Sequence, residues 1–278
     1  MSALWYILMV AGLIGMIWCA KSQKRAANAK LYAIICLVVV VISAIMALVN
    51  YFGPDEETER AMANQQQFEL SKLNKIAEYI NQNFAGKKVA ILVHQDQLPS
   101  KDSTYIRVDP VKELKSFLKG VTVLDPVIIK NPTPEEIKAM GGSEDTMPDE
   151  ISRSPESFNK MFEECKTLQP DVIVDLAGLP SGDGRKLKVW RWKGKNVPKL
   201  ILAQVDDIGS GFRPEILLDS DGVLEGFIVG RNDVKFNHLQ DKAPKELNEA
   251  FDVLYVFVTK SNFKQLVKDK AITVYDMK

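Results

Sequence analysis

The sequence predicts an α/β protein in which two N-terminal transmembrane helices precede a three-layer, doubly wound, mostly parallel sheet. Three observations predict it. Residues 1–52 hold no Asp or Glu and only four Lys or Arg, distributed around two long apolar runs. From residue 87 onward, short apolar runs alternate with segments of helical periodicity, the pattern of strands joined by crossover helices. Several of those runs are apolar on both faces, as strands covered by helices on both sides must be.

The first apolar run covers residues 3–20 (ALWYILMVAGLIGMIWCA) and the second residues 31–52 (LYAIICLVVVVISAIMALVNYF). A helix rises about 1.5 Å per residue against a hydrocarbon core about 30 Å thick, so the second run crosses comfortably and the first just reaches. Trp5, Tyr6, Trp18, Tyr32, Tyr51 and Phe52 lie near the ends, where aromatic rings anchor at the interface. The loop 21–30 carries Lys21, Lys24, Arg25 and Lys30 with no acid, and cationic loops stay cytoplasmic. The segment GPDEETER that follows the second run holds four acids and one base, which agrees with an exit on the other side. The expected location is therefore the cell inner (cytoplasmic) membrane, multi-pass, with the C-terminal domain extracytoplasmic. A cleaved signal peptide is the rival reading of residues 1–20. It lacks a basic leader, and the A-x-A-like site at Ala27 to Ala29 lies beyond several polar residues.

Residues 53–86 read as an amphipathic juxtamembrane helix, with Phe68, Leu70, Leu73, Ile76, Ala77 and Ile80 recurring at helical spacing. It serves as a stalk, as a coiled-coil dimer seam or as the first helix packed on the sheet, the last two ahead of a bare spacer. Residues 87–278 form the α/β domain, with strands expected at 89–93, 121–129, 172–175, 200–205, 224–229, 253–258 and 272–275. Three helix starts share one device, a capping residue before proline at the first helical position: Asp109-Pro110, Thr133-Pro134 and Ser154-Pro155. Glu136 completes a capping box with Thr133. Residues 141–153 are acidic, poor in apolar side chains and punctuated by Pro148, which predicts a mobile surface insertion.

All 36 acidic residues lie after position 52 together with 32 of the 36 basic ones, so this part carries a net charge of −4. That gives no support to nucleic-acid binding. Two of the three cysteines, Cys19 and Cys36, sit in the apolar runs and Cys165 stands alone, so no disulfide staples the domain. With two histidines and neither a CxxC pair nor an HExxH, no zinc signature exists, and no phosphate-binding glycine loop implies a cofactor.

Ligands of such sheets bind outside the carboxyl ends of the strands. Those positions give the candidate binding residues Gln95, Asp96, Asp175, Ala177, Gly178, Ser181, Asp206, Asp207 and Arg231, polar enough for a small-molecule cleft, although Asx groups at strand ends also cap turns. Asp96, Asp175 and Asp206 are a conceivable hard-cation set. Gly209-Ser210-Gly211 lacks a nucleophile-elbow frame, and Asp219 to Gly222 reads as an Asp-Gly turn. Residues 185–195 (RKLKVWRWKGK) hold six cations, two tryptophans and no acid. They read either as an exposed edge strand guarded by alternating lysines or as a contact for anionic headgroups or a partner.

From about residue 88 to 233, the stretches PDVIVDLAGLP, PKLILAQVDDIGSGF and DGVLEGF resemble one Rossmann-like lobe of a type I periplasmic solute-binding protein of the kind that serves ABC importers. The resemblance implies ligand-contacting loops at 95–98, 177–181 and 206–211. Only about 45 residues follow Gly230, too few for the second lobe of that family. The stretch 170–184 also resembles the phospho-acceptor strand of response-regulator receiver domains, but His94-Gln95-Asp96 stands where that family has an acidic pair.

The sequence therefore points to a membrane-anchored, non-catalytic domain that binds an envelope protein partner or itself. The alternative is a membrane-tethered solute-binding or sensor domain. The expected partners are the lipid bilayer and either a protein or a small solute, with no nucleic acid and no metal.

Overall fold

The computed structural model describes residues 2–22, 28–52, 56–99, 108–139, 147–180, 184–194, 196–205, 212–218 and 222–273. The chain divides into two compact units, Met1–Ala61 and Met62–Lys278.

In the first unit α1 (Ser2–Ser22) packs against α2 (Ala29–Phe52). Both are long and apolar enough to cross a membrane, over Leu4–Ser22 and Ala29–Leu48, and nine-tenths of each stretch is not buried. What is buried between them is small: Gly12, Cys19, Ala29, Ser43 and Ala47. A Cβ at Gly12 would lie 2.6 Å from Val40 Cγ2, and one at Gly15 2.8 Å from Cys36 Sγ. The two helices thus approach as closely as they do because these positions lack a side chain.

Helix α3 (Glu56–Asn83) follows, and within the second unit its apolar stripe, Leu73, Ile76, Ala77 and Ile80, is buried against the sheet. Of the roles the sequence allowed, packing as the first helix on the sheet is the one observed. The elements then run β1 (Lys88–His94), α4 (Pro110–Phe117), β2 (Thr122–Val123), β3 (Val127–Ile129), α5 (Pro134–Ala139), α6 (Pro148–Ser152) and α7 (Pro155–Thr167). They continue with β4 (Val172–Asp175), β5 (Lys199–Val205), α8 (Pro214–Leu217), β6 (Leu224–Gly230), α9 (Leu247–Leu254), β7 (Tyr255–Thr259) and α10 (Phe263–Lys268).

The strands form one mixed sheet. β2 and β3 pair in turn with β1, and the order continues β4, β5, β6 and β7, parallel except for the β6–β7 pair. Alternate residues of a strand point to opposite faces. Accordingly Val89, Ile91 and Val93 join the cluster containing α3, Val111 and Leu114 of α4 and Phe251 of α9. Ala90 and Leu92 join the cluster containing Phe158, Phe162 and Cys165 of α7.

The proline-marked helix starts are present as read. Asp109 Oδ1 accepts the N–H groups of Val111 and Lys112 at 3.1 and 3.0 Å, and Ser154 caps Ser157 N–H. Thr133 and Glu136 exchange both bonds of a capping box, at 2.8 and 3.3 Å. Five readings change. The run 121–129 is two short strands, because Pro126 interrupts it. Pro148 opens α6 and is not loop punctuation; residues 141–146 of that insertion lie outside the described residues. Val253 and Leu254 belong to α9, and Ile272 and Thr273 are not in a strand. The tryptophan-containing segment is not an edge strand but two 3-10 turns, Gly184–Lys186 and Lys188–Arg191.

Candidate functional site

The strand order reverses beside β1: the chain leaves it for β2 and β3 on one side and returns through α7 to β4 on the other. In open parallel sheets the loops at such a reversal diverge and leave a crevice. Gln95 and Asp96 follow β1, and Ala177 and Gly178 follow β4, so the structure brings five of the predicted residues, with Asp175, to this point. Gln97 ties the two loops together, its Nε2 donating to Leu176 O at 2.7 Å while its Oε1 accepts from His94 N–H at 2.9 Å. Ser181, Asp206 and Asp207 lie outside the described residues, as do residues 209–211 and 219–221. Arg231 stands apart at the end of β6. Its guanidinium makes a bidentate pair with Asp233 at 3.0 and 2.8 Å and donates to Asp252 O.

At the end of β1 four side chains close a ring. His94, fully buried, has Nε2 2.9 Å from Ser152 Oγ of α6. Ser152 Oγ donates to Asn131 Oδ1 at 2.8 Å, Asn131 Nδ2 donates to Asp96 Oδ1 at 2.8 Å, and Asp96 Oδ2 lies 3.3 Å from His94 Nδ1. A hydroxyl has a single proton. With that proton on the Asn131 bond, Ser152 Oγ accepts from His94 Nε2–H, and Nδ1 is left to accept from Asp96 N–H at 3.3 Å. Neutral imidazole is also what burial favours: desolvation lowers the His94 pKa, Arg153 lowers it further, and the Asp96 and Asp149 carboxylates oppose them.

The distances are those of a nucleophile, base and orienting acid. The chemistry is not. Ser152 is buried, so Oγ is not accessible, and its hydroxyl has Asn131 Oδ1 at 2.8 Å and Asp149 O at 3.2 Å as acceptors that compete with His94 for its proton. The ring fastens α6 to the ends of β1 and β3. Sequence reasoning missed Ser152 and Asn131, and placed Gln97 only within the loop 95–98; Asn131 carried a signal, its place two residues after a strand.

Asp175 is fully buried at the end of β4. Its Oδ1 accepts Ala177 N–H at 2.9 Å, while Oδ2 has no hydrogen-bond partner. Desolvation raises its pKa well above the usual carboxylate range, against the opposing pull of the Ala177 and Gly178 amides. Gly178 has a φ of 84°, left-handed backbone that glycine adopts without strain, and its amide faces this carboxyl. A phospho-acceptor must be reachable, and Asp175 is fully buried, which argues against the receiver-domain reading. Behind it Cys165 is buried, and desolvation and the neighbouring Asp175 push its thiol up to about 12, so it supplies no thiolate.

Among the described residues no three His, Cys, Asp or Glu side chains converge as metal ligands. Further along the sheet, Lys72 of α3 is buried between Glu69 Oε1 at 2.7 Å and Gln204 Oε1 at 2.8 Å. An open groove of about 430 Å³ lies beside α3 and the start of α4, lined by Gln66, Leu70, Pro99, Val108, Asp109, Lys112 and Glu113. Comparison with family models, with characterised proteins and with solved structures finds no match.

Proposed function

We propose that this chain is a two-span protein of the inner membrane whose extracytoplasmic domain, a three-layer doubly wound Rossmann-like unit, binds a protein partner and catalyses no reaction. One observation carries the non-catalytic part. The imidazole–hydroxyl pair at the strand reversal, His94 and Ser152, is sealed from solvent and bonded into a ring that ends on Asp96. The apolar outer faces of α1 and α2 support anchoring, since no water-soluble surface carries so large a patch without a partner.

The test uses the full-length protein extracted in mild detergent. Size-exclusion chromatography with light scattering should give a defined complex, either with a stoichiometric envelope protein or with a second copy. Ser152→Ala and Asp96→Asn should leave that complex intact. A strictly monomeric chain, or a cellular phenotype lost in a folded Ser152→Ala protein, refutes the proposal. Compartment is read by labelling a single introduced cysteine at exposed Lys115 with an impermeant maleimide on sealed cells. Native Cys165 is buried and would not report.

A second reading, a tethered solute receptor, is favoured by the two loops that Gln97 links at the strand reversal and by the exposed Gln95 and Asp96 there. The resemblance to a solute-binding lobe supports the same reading. Millimolar amino acids or sugars should then raise the melting temperature, and Asp96→Asn should abolish the shift.

A further inference from the structure

Residues 184–193 carry a surface that neither reading above uses. Leu187, Val189 and Trp192 are buried, and Trp190 packs on the same cluster, its Nε1 donating to Gly184 O at 2.9 Å. Asn159 of α7 clamps the backbone between them, donating to Lys186 O at 3.2 Å and accepting from Lys188 N–H at 2.6 Å. Trp192 Nε1 donates to Glu163 Oε1 at 3.1 Å. With every apolar side chain turned inward, Lys186, Lys188, Arg191 and Lys193 are exposed, and among the described residues their side chains have no hydrogen-bonding or ionic partner.

Nothing in the fold requires those charges. The segment is not a sheet edge, since β2, β3 and β7 occupy the edges, so the cations do not guard one. In a 3-10 turn residues three apart lie on the same side, which puts the like-charged Lys188 and Arg191 on one exposed face. The arrangement is also pre-organised, so little entropy is lost when an anionic surface meets it.

We propose that this cationic face docks on the anionic phospholipid headgroups of the bilayer that holds α1 and α2, an inference that rests on the membrane reading above. Three features select lipid over a protein or a nucleic acid. The tryptophans that would make a protein hot spot or stack on bases are spent in the core. Three of the four cations are lysines, hydrated point charges suited to a diffuse headgroup lattice more than to bidentate recognition. Anchoring also keeps headgroups at high effective concentration beside the domain. The net charge of −4 outside the apolar runs repels such a surface as a whole. Screening within about 10 Å lets the patch act locally nevertheless.

The test places the full-length protein in nanodiscs of phosphatidylcholine alone or with about one-third phosphatidylglycerol. Acetylation of Lys186, Lys188 and Lys193 is followed by mass spectrometry, with exposed Lys115 and Lys138 as references. Anionic discs should slow the three patch lysines about fivefold relative to the references. Salt at about 0.5 M should abolish the difference, and Lys188→Glu should weaken protection of Lys186 and Lys193. Equal rates in both discs, or equal slowing of the references, overturns the docking surface while the anchor stands. Release of the protein from liposomes by alkaline carbonate overturns the anchor and this inference with it.

Discussion

Met1–Ala61 buries its small side chains and exposes its large apolar ones, whereas Met62–Lys278 does the reverse. In the first unit Trp18, Ile7 and Ile14 are more than 60 % exposed, while Gly12, Cys19 and Ser43 fill the helix contact. In the second, Met147, Leu168, Ile216, Leu239 and Val267 are the exposed large hydrophobics among the described residues, and Phe158, Phe162 and Phe227 are sealed in. The same residue types are sorted oppositely, which is the sorting expected if the proposed anchor faces lipid and the sheet domain faces water. In water, cohesion comes from removing apolar area. In lipid that force vanishes, and helices associate by close contact at small residues.

Substitutions should break the two units in opposite ways. Phe162→Ala opens a cavity in the sealed core and should cost about 3–5 kcal/mol, read as a lower urea midpoint at unchanged slope. A charge on the outer face of α2 is the counterpart: Val38→Lys should cost about 2.5–3.5 kcal/mol of insertion, read as loss from the membrane fraction. The same change at Leu239, exposed on the domain, should stay within about 0.5 kcal/mol. A Val38→Lys protein recovered at normal levels in membranes would sink the comparison.

The helix contact itself comes next. Gly12→Leu places side-chain atoms where a Cβ alone would approach Val40 Cγ2 at 2.6 Å and Cys36 O at 3.3 Å. Overpacking of this kind costs about 1–3 kcal/mol. It should separate the helices, measured as lost cross-linking between cysteines placed on α1 and α2, without shifting the urea midpoint of the sheet domain.

The domain also holds a buried carboxyl and a buried imidazole, Asp175 and His94, and the two pull in opposite directions. Asp175 has a raised pKa, so its stabilising contribution is complete below the ordinary carboxylate value and is lost as pH rises from there through the folded value. Asp175→Asn should therefore gain on the natural protein in melting temperature as pH rises. His94 has a lowered pKa, so the folded state loses stability as pH falls below about 6.5 toward the folded value. His94→Gln should lack that acid-side loss. Parallel pH profiles for the natural and Asn proteins would mean that Asp175 is ionised in the fold.

What could be read beforehand follows the range of the interactions. The two long apolar helices are legible because no carboxylate interrupts residues 1–52. The starts of α4, α5 and α7 are legible because Asp109, Thr133 and Ser154 act within three residues of themselves. The His94 ring was hidden: Ser152 lies 58 residues from its partner, and no local pattern sets a buried serine apart from a turn serine. Residues 185–193 misled for a related reason. Alternating cations and apolar residues mimic strand periodicity, yet Asn159 of α7, far away in sequence, supplies the backbone partners that a neighbouring strand would have given.

The smallest effect concerns those local signals. Asp109→Ala deprives two N–H groups at the start of α4 of one shared acceptor and should cost about 1 kcal/mol. The loss is limited because Lys112 is exposed and water can replace the carboxylate there. Asp109 also lines the groove beside α3, so hydrogen exchange should quicken at Val111 and Lys112 while the amides of β1 and β4 keep their protection. Quickening that spread into those strands would show that the cap holds the sheet as well as its own helix.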